Sequence, residues 1–192
     1  MRPLTRADLL SLEDYATRRA EFRAEVIAHK RPRSVALGPN LTLLFEDRLT
    51  VAYQVQEMLR IERIFEPAAI ADELATYNPL IPDGANLKAT LLIEFPDAEE
   101  RRLALARLTG VAGAIRLEVG GARCAPIADE DLEREDQHKT SAVHFLRFEL
   151  DAAQRAALKG GAPLGVLCEH AAYRHATQVP ELTRRALAAD LD

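Results

Sequence analysis

Apolar positions in the first thirty residues (Leu9, Leu12, Ala16, Ala20, then Phe22, Val26 and Ile27) recur at roughly helical spacing. Thr5-Arg-Ala-Asp8 opens the segment like a capping box, with Asp8 in place of the usual Glu or Gln. His29-Lys30-Arg31 places positive charge where a helix C-terminus favours it, and Pro32 ends the run. One long helix or two short ones are expected here. Residues 34–37 and 41–45 are β-rich runs joined by Gly38-Pro39-Asn40, the signature of a hairpin. Residues 48–65 contain no breaker and predict a helix. Pro67 begins another at about 67–76, and Asn78-Pro79-Leu80-Ile81-Pro82-Asp83-Gly84 is an ordered loop that either exposes Leu80 and Ile81 at its tip or tucks them back over the sheet edge.

Residues 87–95 alternate, with Leu87, Ala89, Leu91, Ile93 and Phe95 on one face and Lys88, Thr90 and Glu94 on the other. A charged helix over 98–108 closes at Gly110. A strand carrying Ile115, Leu117 and Val119 turns at Gly120-Gly121 into residues 122–127. The run 128–139 is acidic (Asp129, Glu130, Asp131, Glu133, Glu135, Asp136) and reads as an exposed loop or frayed helix. A strand over 142–150 follows, then a helix from Asp151 stopped by Gly160-Gly161, a last strand over 164–173, and a helix opened by Pro180. Several connections are too short for βαβ crossovers. The pattern therefore predicts a single α+β domain with a mixed, mostly antiparallel sheet of about six or seven strands and packed helices.

Composition narrows the class. The chain has 192 residues, 48% hydrophobic and 29% charged, enough for one self-sufficient core. Its net charge of -5 argues against nucleic acid and polybasic membrane partners. No apolar stretch reaches the length of a membrane span, and the N-terminus lacks an apolar signal core, so a cytoplasmic location is expected. Cys124 and Cys168 form no CxxC and are expected to be reduced, buried hydrophobes.

No catalytic signature is present: GxxxxGK[ST], GxGxxG, GxSxG and HExxH are all missing, so enzymatic activity is left open and no cofactor is assigned. The 48–65 helix is the unusual element. Its apolar residues point nearly all round, which places it centrally or against a second copy and predicts a homo-oligomer. Its charges nearly balance, Arg48, Arg60 and Arg63 against Glu57 and Glu62. Its polar residues Gln54, Gln56, Glu57, Arg60, Glu62 and Arg63 are candidates for burial or an interface; Gln56, Arg60 and Arg63 share a face with Glu57 beside it, and with Glu62 these are also ligand-binding candidates, unless they form only intrahelical pairs on a wet face. His144 shares a strand face with Leu146, Phe148 and Leu150, which would bury it, and it joins the candidate set. Cys168 and His170 lie on one strand face about 6.6 Å apart, a weak metal pair that His175 completes only if the strand bends near Tyr173.

The segments His29-Lys-Arg, Val35-Ala-Leu-Gly-Pro-Asn, Thr42-Leu-Leu-Phe-Glu-Asp-Arg, Gln54-Val-Gln-Glu-Met-Leu-Arg-Ile-Glu-Arg-Ile-Phe and Tyr77-Asn-Pro-Leu-Ile-Pro-Asp-Gly resemble a bacterial family of unknown function along the whole chain. The resemblance brings no catalytic residues. Members of that family are often encoded beside rubrerythrin-like and iron–sulfur oxidoreductase proteins, which implies an accessory role with a redox partner in peroxide defence. The chain lacks the paired Glu-x-x-His helices of a di-iron protein and the cysteines of an iron–sulfur protein.

Overall fold

The Gly38-Pro39-Asn40 turn sets the topology, because it pairs β1 (Ser34–Leu37) with β2 (Leu41–Phe45) and also meets the far end of the other sheet. Gly38 has φ +70°, and a Cβ there would lie 2.6 Å from the Tyr173 hydroxyl, so only glycine fits. That hydroxyl donates to Leu37 O at 2.7 Å and accepts from Asn40 N at 3.0 Å. A computed structural model describes residues 1–130, 133–135 and 138–192. Asp131 and Asp136 of the acidic run lie outside the described residues.

Six α-helices and nine strands form in the described residues, and every strand pair is antiparallel. One sheet has the order β1-β2-β3-β7-β6, with β3 (Asn86–Ile93), β7 (Val143–Glu149) and β6 (Ile127–Ala128). The other is β5-β4-β8-β9, from Ala122–Cys124, Ile115–Val119, Leu164–His170 and Tyr173–Gln178. The α+β class holds, but the strands form two sheets rather than one and number nine rather than six or seven. Pro126 follows β5, and the chain resumes as β6 in the other sheet. The expected strand over 164–173 turns at Ala171-Ala172, and β9 escapes a hydrophobic reading because most of its side chains are exposed.

The inner faces of both sheets share one core, including Leu37, Leu43, Leu91, Ile115, Leu117, Phe148 and Val166, all fully buried. Leu158 of α5 (Ala152–Lys159) and Leu187 of α6 (Glu181–Ala188) are buried in the same core. A second apolar cluster forms on the N-terminal side from α2 (Arg48–Glu62), α3 (Pro67–Tyr77) and the leading segment, around Leu9, Val55, Leu59, Ile70 and Leu74. α1 (Leu12–Lys30) packs on α2, with Phe22 edge-on to Tyr53.

α2 ends three residues earlier than its apolar run predicts. Arg63 adopts the left-handed conformation (φ 55°), and both its N–H and that of Ile64 close on Leu59 O. The apolar sides of α2 are covered within the chain by α1, α3 and Leu9. Only its C-terminal end leaves Ile61 60% and Phe65 68% exposed. Of the two readings of the loop after α3, an exposed tip or one that tucks back, the structure shows the second: Asn78–Leu80 form a 3-10 turn and Ile81 is buried, here in the second apolar cluster.

Candidate functional site

Because β3 is antiparallel to β7, Lys88 stands directly opposite Arg147, and both side chains leave the outer face of the sheet. The helical layer does not close onto this part of the sheet. Gln54 of α2, Thr76 and Tyr77 of α3, and Pro79 and Leu80 form the opposite wall of a cleft of about 450 Å³, within the usual range for a small-ligand site. Ile127, Phe145, Glu130 and Arg134 complete the rim, and Glu46 lies at the inner end.

Lys88 holds the 3-10 turn onto the sheet, its Nζ donating to Pro79 O at 2.6 Å and Ile81 O at 3.0 Å. Burial pushes the Lys88 ammonium below its ordinary pKa. Arg147 is held by Glu130 through two bonds of 2.7 Å, and it also meets Glu149. The Arg147 hydrogen bonds keep Glu130 below the ordinary carboxylate range. Glu46 is buried, accepting from Thr90 Oγ1 at 2.6 Å and Thr50 Oγ1 at 2.5 Å, beside the Asp47-capped start of α2. Burial raises the Tyr77 phenol, although a hydrogen bond from Gln54 opposes the shift.

The ligand-binding candidates read from the 48–65 helix lie elsewhere. Gln56 is 2% exposed and holds both backbone groups of Leu10. Glu57 joins α2 to α1 through Tyr15 and Arg19 and also pairs with Arg60. Glu62 is exposed at the helix end, and Arg63 is its left-handed cap. Gln56 is therefore separated in role from Arg60 and Arg63, and none of the five lines the cleft. From α2, only Gln54 does.

His144 is fully buried, as its strand face predicted. Its Nδ1 lies 2.6 Å from Asp129 Oδ2, and its Nε2 lies 2.8 Å from Thr140 Oγ1 and 3.1 Å from Ser141 O. Asp129 is held at φ 50° and also accepts from Phe145 N at 2.9 Å, so the histidine secures the strand that carries Phe145 and Arg147.

The strand break at Tyr173 does set His175 opposite Cys168 across β8 and β9. His170, however, has both ring nitrogens engaged: Nδ1 accepts from Ala172 N at 3.2 Å, and Nε2 lies 3.0 Å from Thr109 O. Among the described residues, no group of three or more His, Cys, Asp or Glu side chains gathers as a metal site. Both cysteines are free and buried, and burial raises their thiols.

The sequence reading missed the cleft. Its available signals were Gln54, a polar candidate on the 48–65 helix, and Lys88, a cation on the face opposite the core of an alternating strand. Its opposition to Arg147 depends on register, which one strand's pattern does not contain.

The family described as "Protein of unknown function (DUF3501)" matches residues 3–191. The chain belongs to this family. The DUF3501 chain is also similar to a solved structure, a novel protein of unknown function from Burkholderia pseudomallei K96243, at 52% identity and a TM-score of 0.95 over 100% of both chains. A comparison with curated proteins finds no match. The DUF3501 assignment carries no reaction, so function has to be argued from the cleft. No helix among the described residues of this DUF3501 chain is long and apolar enough to cross a membrane.

Proposed function

We propose that this protein binds a small molecule in the cleft between the α2–α3 layer and the outer face of β3 and β7. The observation that carries this reading is the cleft itself. Polar groups from three separate elements (Gln54, Tyr77 and Lys88) converge on a partly enclosed space that Leu80, Ile127 and Phe145 line with apolar surface. The test is an amide-resolved NMR screen of a small-fragment library. Bound fragments should move the signals of Gln54, Tyr77 and Lys88, and Thr76→Trp at the mouth should abolish the effect without lowering the melting temperature. Fragments that leave these signals unmoved overturn the reading.

A site built on Glu57, Arg60 and Glu62 with His144 is less well supported, because Glu57 already has three donor side chains and His144 is fully buried. A homo-oligomer is supported by one observation, the exposure of Ile61 in the last turn of α2 and of Phe65 just beyond it. Light scattering that gives a strictly monomeric mass would remove it. The accessory role beside a redox partner rests on the family resemblance alone, and two buried cysteines with raised thiol pKa values add nothing to it. Co-purification with an iron protein is its test.

A further inference from the structure

We propose that the ligand of this cleft is a small organic anion whose carboxylate or phosphate oxygens lie against Lys88, beside Arg147. The inference rests on the reading that the cleft is a ligand site, and adds the ligand's charge and shape. Lys88 and Arg147 are directly opposed across β3 and β7, which puts their Cβ atoms about 5 Å apart. Like charges in that relation destabilise a sheet, and these two are half-buried, where salt screens them less.

The existing counter-charges are committed unevenly. Glu130 grips Arg147 with both carboxylate oxygens, and Glu149 meets the same guanidinium. Glu46 is occupied by the hydroxyls of Thr50 and Thr90. Lys88 meets two carbonyl oxygens, which solvate an ammonium without neutralising it. Among the described residues no carboxylate lies within ion-pair distance of Lys88. Lys88 is therefore the cation of the cleft with no carboxylate in contact among the described residues, although Asp83, Glu130 and Glu149 act on it from further off, and it stands beside an Arg147 guanidinium already held by Glu130 and Glu149. Arg134 adds a third guanidinium at the rim, stacked over the Phe145 ring at 4.5 Å and paired with Asp129. The apolar lining beside these cations (Leu80, Ile127 and Phe145) favours an anion with a carbon body over a bare inorganic ion.

The test holds the carbon body constant and varies the head group. At fixed ionic strength, the protein is titrated with hexanoate, hexyl phosphate, hexylamine, hexanol and inorganic phosphate, with amide shifts read around Lys88. Hexanoate or hexyl phosphate should bind and hexylamine should not; the tighter of the two identifies the head group. Lys88→Met should weaken that binding about tenfold or more, and Lys88→Arg should retain it. Arg147→Met gives a second reading if Lys88→Met fails to fold, and should weaken the same probe. Hexylamine or hexanol binding as tightly as hexanoate would overturn the anion assignment while leaving the cleft a ligand site. Inorganic phosphate matching hexyl phosphate would overturn the organic part of the assignment. Silence from all five probes and from the fragment library would overturn both readings.

Discussion

Arg19 on α1 grips Glu57 on α2 with two hydrogen bonds, Nε to Oε1 at 2.7 Å and Nη2 to Oε2 at 2.8 Å. Tyr15 donates to the same carboxylate at 2.6 Å, and Arg60 adds a third side chain. The Arg19 hydrogen bonds, more than any other influence, lower the Glu57 pKa to about 2 from 4.5. A depressed carboxylate pKa contributes stability that is complete above the unfolded value and is lost as pH falls through the folded one. Glu57→Gln should therefore lower the melting temperature at pH 7, and the gap to the parent protein should narrow between about pH 4.5 and 2. Calorimetry at pH 7, 4 and 2.5 checks this; a gap independent of pH would refute it.

Gln56 imitates a backbone partner. Its Oε1 accepts from Leu10 N at 3.0 Å and its Nε2 donates to Leu10 O at 3.2 Å, so α2 secures the strandless segment before α1. Gln56→Leu keeps the volume but leaves two main-chain groups unpaired, a cost of about 1–3 kcal/mol. Denaturant unfolding measures the loss, and amide exchange at Leu10 should accelerate. Binding of cleft probes should be unchanged, which separates this candidate residue from the ligand site.

Arg33, 3% exposed, ties the C-terminal segment at Asp190 to the junction of β2 and α2. It pairs with Asp190, reaches Asp47 at 3.4 Å, and donates to Phe45 O at 3.1 Å and Glu46 O at 3.3 Å. Arg33→Met strands two buried carboxylates and should cost about 3–5 kcal/mol. Arg33→Met combined with Asp190→Leu should recover part of that loss, because the uncompensated charge goes with its partner. Chemical denaturation of the three proteins is the measurement, and a double variant no more stable than Arg33→Met would contradict the argument.

Gly38→Ala should destabilise by about 1–2 kcal/mol from the left-handed backbone alone. The close approach of its Cβ to the Tyr173 hydroxyl adds to that. Tyr173→Phe removes the hydroxyl with its bonds to Leu37 O and Asn40 N and leaves the His175 ring in place, so the contact is read as the non-additivity of Gly38→Ala and Tyr173→Phe in thermal melts of both single variants and the double; strict additivity would show that the contact contributes nothing.

Local chemistry made most elements legible. The Gly38-Pro39-Asn40 turn, the Asp47, Asp97 and Asp151 helix starts and the alternation of β3 each depend on neighbours within a few residues, so one segment contains its own instructions. His144 was legible as buried for the same reason, since a strand's period of two assigns its face. The apolar circumference of α2 was also correctly seen, but not what covers it. A run of apolar residues says that a helix will be enclosed; it does not distinguish α1 and α3 from a second copy. The charged residues of α2 drew attention because they stood beside that run, yet Glu57 and Gln56 were taken up by Arg19 and Leu10, residues some 38 and 46 positions away. The cleft depends on long-range relations throughout. Lys88 meets Arg147 only through the β3–β7 register, and Gln54 and Tyr77 face them only because two helices dock over that sheet face. The sequence by itself determined the helices and the alternating or turn-bounded strands and the faces they bury, because those choices follow from turn chemistry and periodicity, whereas the polar edge strand β9 and the division into two sheets carry no such local signal. The tertiary structure decided where two half-buried cations come together, because pairing register and helix docking are settled by the packing of the whole core.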